Sequence, residues 1–227
     1  MELGGATWPQ VEATGGDALL ALPLGSLEQH GPHLPLDTDT RIAGALAHGL
    51  AAQRPDVVVA PAVAYGASGE HAAFPGTLLV GHEPLAALLI ELVRSARGAF
   101  RGVVLVNAHG GNEATLAEVE RRCAAEGDDV LTWRAVVPGG DAHAGRTETS
   151  IMLALDAASV RMELAEPGRT EPIDRLLPRL RAKGVRPVSS NGVLGDPTGA
   201  NAEEGRALLD ALVADLVASV TKHWSPA

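Results

Sequence analysis

The sequence predicts an α/β domain on a mainly parallel sheet, and three observations carry that prediction. Short apolar runs of strand length alternate along the chain with stretches of helical period. Those runs are apolar on both faces, as strands sandwiched between helices must be. The 227 residues, with a hydrophobic fraction of 46%, suffice for one full core, and no linker, internal repeat or low-complexity tract divides them. The expected unit is a single domain over residues 1–227.

Ala18–Leu24 reads as a buried strand that delivers the loop Leu24–Thr40 to its end. That loop holds six possible metal ligands within twelve residues: Glu28, the amide of Gln29, His30, His33, Asp37 and Asp39. Glu28 and His30 are two apart, so in extended chain they point the same way. Pro32, Pro35 and Gly31 stiffen the connection to Asp39. Thr40–Leu50 is helical, with Ile42, Leu46 and Leu50 on one stripe and His48 on the far side. Val57–Pro61 reads as a central parallel strand. The loop Ala64–Thr77 is long enough to serve a site, and Glu70 and His71 within it are candidates for further ligands, substrate contacts or local caps.

Pro84–Arg97 is an amphipathic helix burying Leu85, Leu88, Leu89, Leu92 and Val93. Gly102–Asn107 is a strand ending in Asn107-Ala108-His109-Gly110-Gly111-Asn112, with a helix running on through Glu126. The glycine-rich turn matches neither the dinucleotide nor the P-loop spacing, and no lysine is near to reach a phosphate. A flavodoxin-like nucleotide-binding module is the alternative of another class. Val130–Val137 forms the fourth strand and feeds Gly139–Ser150, which brings Asp141, His143 and Glu148 to a helix start. Ile151, Leu153 and Leu155 are expected inside. Residues 163–199 read as loops with a short helix around Ile173–Leu180. Asn201 with Glu204 resembles a capping box that opens a last helix running to about Thr221.

Composition limits the partners. A net charge of −10 argues against nucleic acid or an anionic membrane, and no apolar run approaches the roughly 20 residues of a membrane span. The lone Cys123 offers no disulfide framework, which suits a reducing cytoplasm. Met1–Gly5 has neither the basic nor the apolar region of a secretion signal, so none is expected.

Three strand ends in a row deliver histidines and carboxylates. Glu28, His30, Asp39, His109 and Glu148 together could bind two divalent ions, three carboxylates setting −3 against +4. Oxygen and imidazole donors suit Zn²⁺, Mn²⁺ or Fe²⁺. Two ions roughly 3.5–4 Å apart are the arrangement of metal-assisted hydrolysis. His143 is the group placed to carry a proton to a leaving nitrogen.

Glu28–Pro35, Asp37-Thr38-Asp39, Phe74-Pro75-Gly76-Thr77, Asn107–Asn112, His143–Ser150 and Asn191–Pro197, in this order, resemble the creatininase (creatinine amidohydrolase) family. The resemblance implies an α/β/α three-layer sandwich, a dinuclear centre and a homo-oligomer, often a hexamer. It puts Glu28 and His109 on one ion and His30 on the other, with Asp39 bridging and His143 catalytic. Glu70, His71 and Asn112 are taken as substrate contacts.

Two positions depart from the family pattern. A second carboxylate lies two residues after the metal-binding histidine in creatininase, where this chain has Gly111; Glu148 is the natural replacement. A lid tryptophan lies four residues before the catalytic histidine, where this chain has Gly139. The short form is most similar to the mycofactocin-system branch of the family, which implies removal of a C-terminal Val-Tyr dipeptide from a modified precursor peptide. Creatinine or a formamide-type pyrimidine is the small-amide alternative.

Overall fold

A computed structural model describes residues 1–14 and 16–224. In chain order these form α1 (Trp8–Glu12), β1 (Leu19–Leu24), α2 (Thr38–Gln53), β2 (Val57–Val59), α3 (His82–Ala96) and β3 (Gly102–Asn107). Then follow α4 (Glu113–Glu126), β4 (Val130–Arg134), α5 (Arg146–Asp156), α6 (Ile173–Lys183) and α7 (Ala202–His223). The four strands are parallel in the order β2-β1-β3-β4. Leu20 lies opposite both Val58 and Val103, and Val106 opposite Trp133.

Period-two alternation sends each strand's side chains to two separate cores. Leu19, Ala21, Val57, Val59, Val104 and Val106 pack with Ile42, Leu46 and Leu50 of α2, Ile151 and Met152 of α5, and Leu212, Leu216 and Val220 of α7. Leu20, Leu22, Leu24, Val58, Val103 and Leu105 pack with Leu85, Leu89 and Val93 of α3 and Leu116 and Val119 of α4. The fold is the expected α/β sandwich of three layers. A third, small cluster holds α6: Leu176 and Leu180 meet Val185, Val188 and Leu194, with Phe74 against them.

Several local expectations are corrected. The apolar run at residues 57–59 is an edge strand, not a central one. It is buried because helices cover both faces and the N-terminal residues close its edge: the Val59 N–H donates to the Met1 carbonyl at 2.9 Å. On α3, Leu88 is 46% exposed and Ala86 and Ile90 take its place inside. The strand at Val130 ends at Arg134, leaving Val136 exposed, and Leu155 is exposed at the end of α5. Before α7 only half the capping box forms: the Asn201 side chain accepts the Glu204 N–H at 2.9 Å, while the Glu204 carboxylate turns to Arg146. The helix α1 was not anticipated; a box between Thr7 and Gln10 closes its first turn.

All four strands run the same way, so the segments after β1, β2, β3 and β4 meet at one edge of the sheet, where sites of such folds lie. β1 leaves the sheet at Gly25, where a Cβ would stand 2.4 Å from Thr40. Glycine there lets the loop pass directly against the start of α2. Among the described residues, no helix is long and apolar enough to cross a membrane.

Candidate metal centre

The loop after β1 places Glu28 and His30, both without solvent exposure, and α2 presents Asp39 from its first turn. The segment after β3 adds His109, and the loop after β4 adds His143. His71 comes from a single 3₁₀ turn, Gly69–His71, in the long loop after β2.

Asp39 stands between two imidazoles. Its Oδ1 is 3.0 Å from His30 Nε2, and its Oδ2 is 3.1 Å from His109 Nδ1. Glu28 Oε2 lies 3.3 Å from His109 Nε2; Glu28 Oε1 lies 3.3 Å from His71 Nε2 and 3.7 Å from His143 Nδ1. Glu148, in the first turn of α5, reaches to 3.8 Å from His30 Nε2 while accepting the Ala144 N–H at 2.6 Å. Ala144 is the one non-glycine residue with positive φ (51°) among those described, so the chain is bent to make that bond. Three sets of ligand atoms each lie within 4.8 Å of one another: Glu28–Asp39–His109, His30–His143–Glu148 and Glu28–His71–His143.

The charges of this cluster are unbalanced from within. Imidazoles are the only side chains able to carry positive charge within reach of Glu28, Asp39 and Glu148; among the described residues no arginine or lysine pairs with them. Glu28 Oε1 and Asp39 Oδ2 are buried without an aligned hydrogen-bond donor, their nearest imidazole nitrogens lying at 3.3 Å and 3.1 Å. Buried carboxylates in that state draw in positive charge. Burial resists protonation of His30 and His109, yet Asp39 for the first and Glu28 and Asp39 for the second lift them to about 10 and about 9. Burial pushes the Glu28 carboxyl upward and Glu148 up to about 7, while His30 and His109 hold Asp39 far below the usual range despite its burial. His71 and His143 go the other way: burial and neighbouring imidazoles drop His71 to about 3 and His143 well below its ordinary value. Orphaned carboxylate oxygens beside imidazoles, with a divalent ion able to take the place of the protons that the carboxylates hold on His30 and His109, are the donor set of an O/N-ligated metal, so the residues fit such a group.

Other candidates of the ligand-rich loop are engaged elsewhere. Asp37 accepts Arg41 Nε at 2.8 Å. His33 meets the Thr149 hydroxyl at 2.9 Å and belongs to none of the three sets. His71, read from the sequence as a substrate contact, lies within the cluster. Asn112 is committed to holding loops: its Oδ1 accepts the Ala67 N–H at 3.0 Å and its Nδ2 donates to Asn107 Oδ1 at 2.9 Å. Glu70 is half-buried and sends Oε1 toward position 111. A Cβ there would stand 2.3 Å from His109 Nε2, 2.6 Å from the Ala67 carbonyl and 2.7 Å from Glu70 Oε1. The carboxylate of residue 70 thus takes the space that a side chain at 111 would need.

Ser26 and Ser68 went unread in the sequence, and Gln29, read there as a possible metal ligand, orients two imidazoles. Gln29 Nε2 lies 2.8 Å from His71 Nδ1, 2.9 Å from His143 Nε2 and 3.1 Å from the Gly192 carbonyl, fixing both rings. Ser26 donates to Glu28 Oε2 at 3.0 Å, and Ser68 lies 3.2 Å from His109 Nε2. Alternation could have found Ser26, two residues before Glu28; Ser68 carries no such signal.

The family model for creatinine amidohydrolase matches residues 5–220. The chain is 48% identical to a mycofactocin precursor peptide peptidase of Mycobacterium tuberculosis, over 99% of this chain and 92% of the relative. It is 29% identical to the creatinine amidohydrolase of Pseudomonas putida, over 99% of this chain and 97% of that one. A crystal structure of creatininase superposes with a TM-score of 0.79 at 26% identity, covering 100% of this chain and 98% of the other. The fold, the clustered ligands and these similarities agree: the chain belongs to the creatininase family of metal-dependent amide hydrolases.

Proposed function

We propose that this chain is a dinuclear metal-dependent peptidase of the mycofactocin precursor peptide, releasing its C-terminal Val-Tyr dipeptide. The observation that carries the reading is the set of buried carboxylates that face imidazoles but no arginine or lysine among the described residues, with two oxygens lacking an aligned donor. Glu28 and His109 would hold one divalent ion (zinc, iron or manganese) and His30 and Glu148 the other, with Asp39 between them. Bound there, the ions supply Lewis acidity toward the scissile carbonyl and lower the pKa of water.

The chain's own residues supply the rest. His143, buried and neutral, takes the proton released as water adds to the carbonyl carbon, and hands it to the leaving nitrogen as the C–N bond breaks. Gln29 keeps that ring in place, its backbone carbonyl 2.8 Å and its amide 2.9 Å from His143 Nε2. Glu70 and His71 border the space beside the cluster on the side of the long loop. The same proposal includes one domain over residues 1–227, a homo-oligomer such as a hexamer and a cytoplasmic setting.

Creatinine and formamide hydrolysis are the small-amide alternative. Gly139, at the lid position, has nothing within 4 Å of its would-be Cβ. Open space there suits a peptide tail better than a small ring. At Gly111 the turn is crowded by His109, the Ala67 carbonyl and the Glu70 carboxylate, and a carboxylate there opposes a phosphate, which counts against the nucleotide-binding alternative. The test is to incubate the purified protein with a precursor peptide, creatinine and a formamide. Release of Val-Tyr with negligible turnover of the other two supports the reading; the reverse preference overturns it.

A further inference from the structure

Residues 175–186 carry Arg175, Arg179, Arg181, Lys183 and Arg186 and no acid, five of the 18 basic residues in a chain of net charge −10. On α6, Arg175, Arg179 and Lys183 stand at i, i+4 and i+8, one exposed stripe. Many arginines elsewhere sit against carboxylates, as Arg41, Arg54, Arg94, Arg97, Arg134 and Arg146 do. Among the described residues the stripe has no carboxylate partner. Like charges at this spacing disfavour the helix that carries them; the last turn favours Lys183, but Arg175 and Arg179 have no such support.

Its placement ties it to the metal centre. Immediately after α6, the Val185 N–H donates to the Glu70 carbonyl at 2.8 Å, and Arg186 donates to the Ala73 carbonyl at 2.6 Å, on either side of His71. Leu194, packed in the same cluster as Leu176 and Leu180, pairs its backbone with His143: the Leu194 N–H donates to the His143 carbonyl at 2.8 Å. The helix is therefore fixed to both segments that bring His71 and His143 into the site.

We propose that Arg175, Arg179 and Lys183 hold an acidic stretch of the peptide substrate, upstream of the cleaved bond. This rests on the peptidase reading above. The stripe spans eight residues at about 1.5 Å each, roughly 12 Å, which about four residues of extended peptide cover at roughly 3.3 Å each. One terminal carboxylate would need one cation. Three in a row match several acidic side chains, and only the upstream side of a C-terminal dipeptide cut has the length to carry them.

The test uses two synthetic peptides ending in Val-Tyr, one with Asp and Glu among the residues upstream of the cut and one with Asn and Gln in their place. Wild type and the R175E/R179E/K183E variant are compared, with assembly state and metal content checked. Binding to fluorescein-labelled peptides is read by anisotropy in the His143→Ala background, and cleavage separately in proteins with His143. The wild type is expected to bind the acidic peptide more tightly, with an advantage that salt erases. The variant is expected to lower that preference on the order of ten-fold, about a factor of two for each of three exposed charge pairs. Equal preference in wild type and variant overturns the proposal, as does a variant that changes assembly state, or a single-stranded oligonucleotide that competes as well as the acidic peptide. Failure to cleave either peptide would overturn the peptidase reading, while anisotropy still decides the stripe.

Discussion

Two charge clusters in this molecule invite comparison. Between α3 and α4, Arg94 pairs with Glu126, and Arg97 reaches both Glu126 and Asp128. Each acid there has a guanidinium, and the network lies at the helix ends near solvent. At the carboxyl edge of the sheet, Glu28, Asp39 and Glu148 are packed among imidazoles with no guanidinium or ammonium. The first cluster is complete by itself, and exposed pairs of that kind add little to stability. The second has only titratable imidazoles to offset its carboxylates where desolvation is costly. Both hold several acids, so what separates the functional cluster from the structural one is that its acids face imidazoles, which a divalent ion can bind, rather than fixed guanidinium cations.

The largest effect should come from withdrawing metal. A chelator is expected to abolish hydrolysis, and adding back Zn²⁺, Mn²⁺ or Fe²⁺ to restore it. The stripped protein should also melt lower, because an ion held at 100 times its Kd adds about 2.7 kcal/mol. Undiminished activity in the chelated protein would dissolve the contrast between the two clusters.

Next in size is His143→Ala, with turnover down roughly 10²–10⁴-fold and metal content near that of the parent. Metal lost in proportion to activity would make His143 a ligand, a position its place in two of the ligand sets also allows.

Glu148→Gln separates two roles that the structure joins in one side chain. As a ligand partner of His30 it should lose one ion selectively and most of the hydrolysis. As the acceptor of the Ala144 N–H it keeps an oxygen, so the stability cost should stay under about 1 kcal/mol. Two metals retained would shift the ligand role toward His71 or Glu70.

The smallest effect belongs to the surface cluster. Glu126→Gln should leave metal content and turnover untouched and lower the melting temperature slightly, a difference that high salt removes.

How far the sequence could carry this reading follows from the range of each signal. Local signals held. The apolar run Gly102–Asn107 is a strand over that same span, and Asn201 caps α7. Glu28, His30 and Asp39 lie close in sequence on a loop stiffened by proline, and they meet at the edge to which β1 delivers them. The misplaced parts depend on partners distant in sequence. The edge position of Val57–Val59 is masked because the chain's first residues cover it. His71 enters the cluster only through the packing of a loop 42 residues from Gln29. The glycine at 111 becomes legible only when the Glu70 carboxylate is seen beside it. Leu88 fails as a core residue because Ala86 and Ile90, less prominent in the pattern, set the true face of α3.

The bridging position of Asp39 tests the dinuclear centre most directly, since it alone faces both His30 and His109. Without that carboxylate the repulsion between two dications is no longer offset. Metal per chain, measured by mass spectrometry on wild type beside Asp39→Asn, should fall from about two to none while the fold persists by circular dichroism. A folded Asp39→Asn protein that keeps both metals, or a wild type that hydrolyses peptide with none, would contradict it.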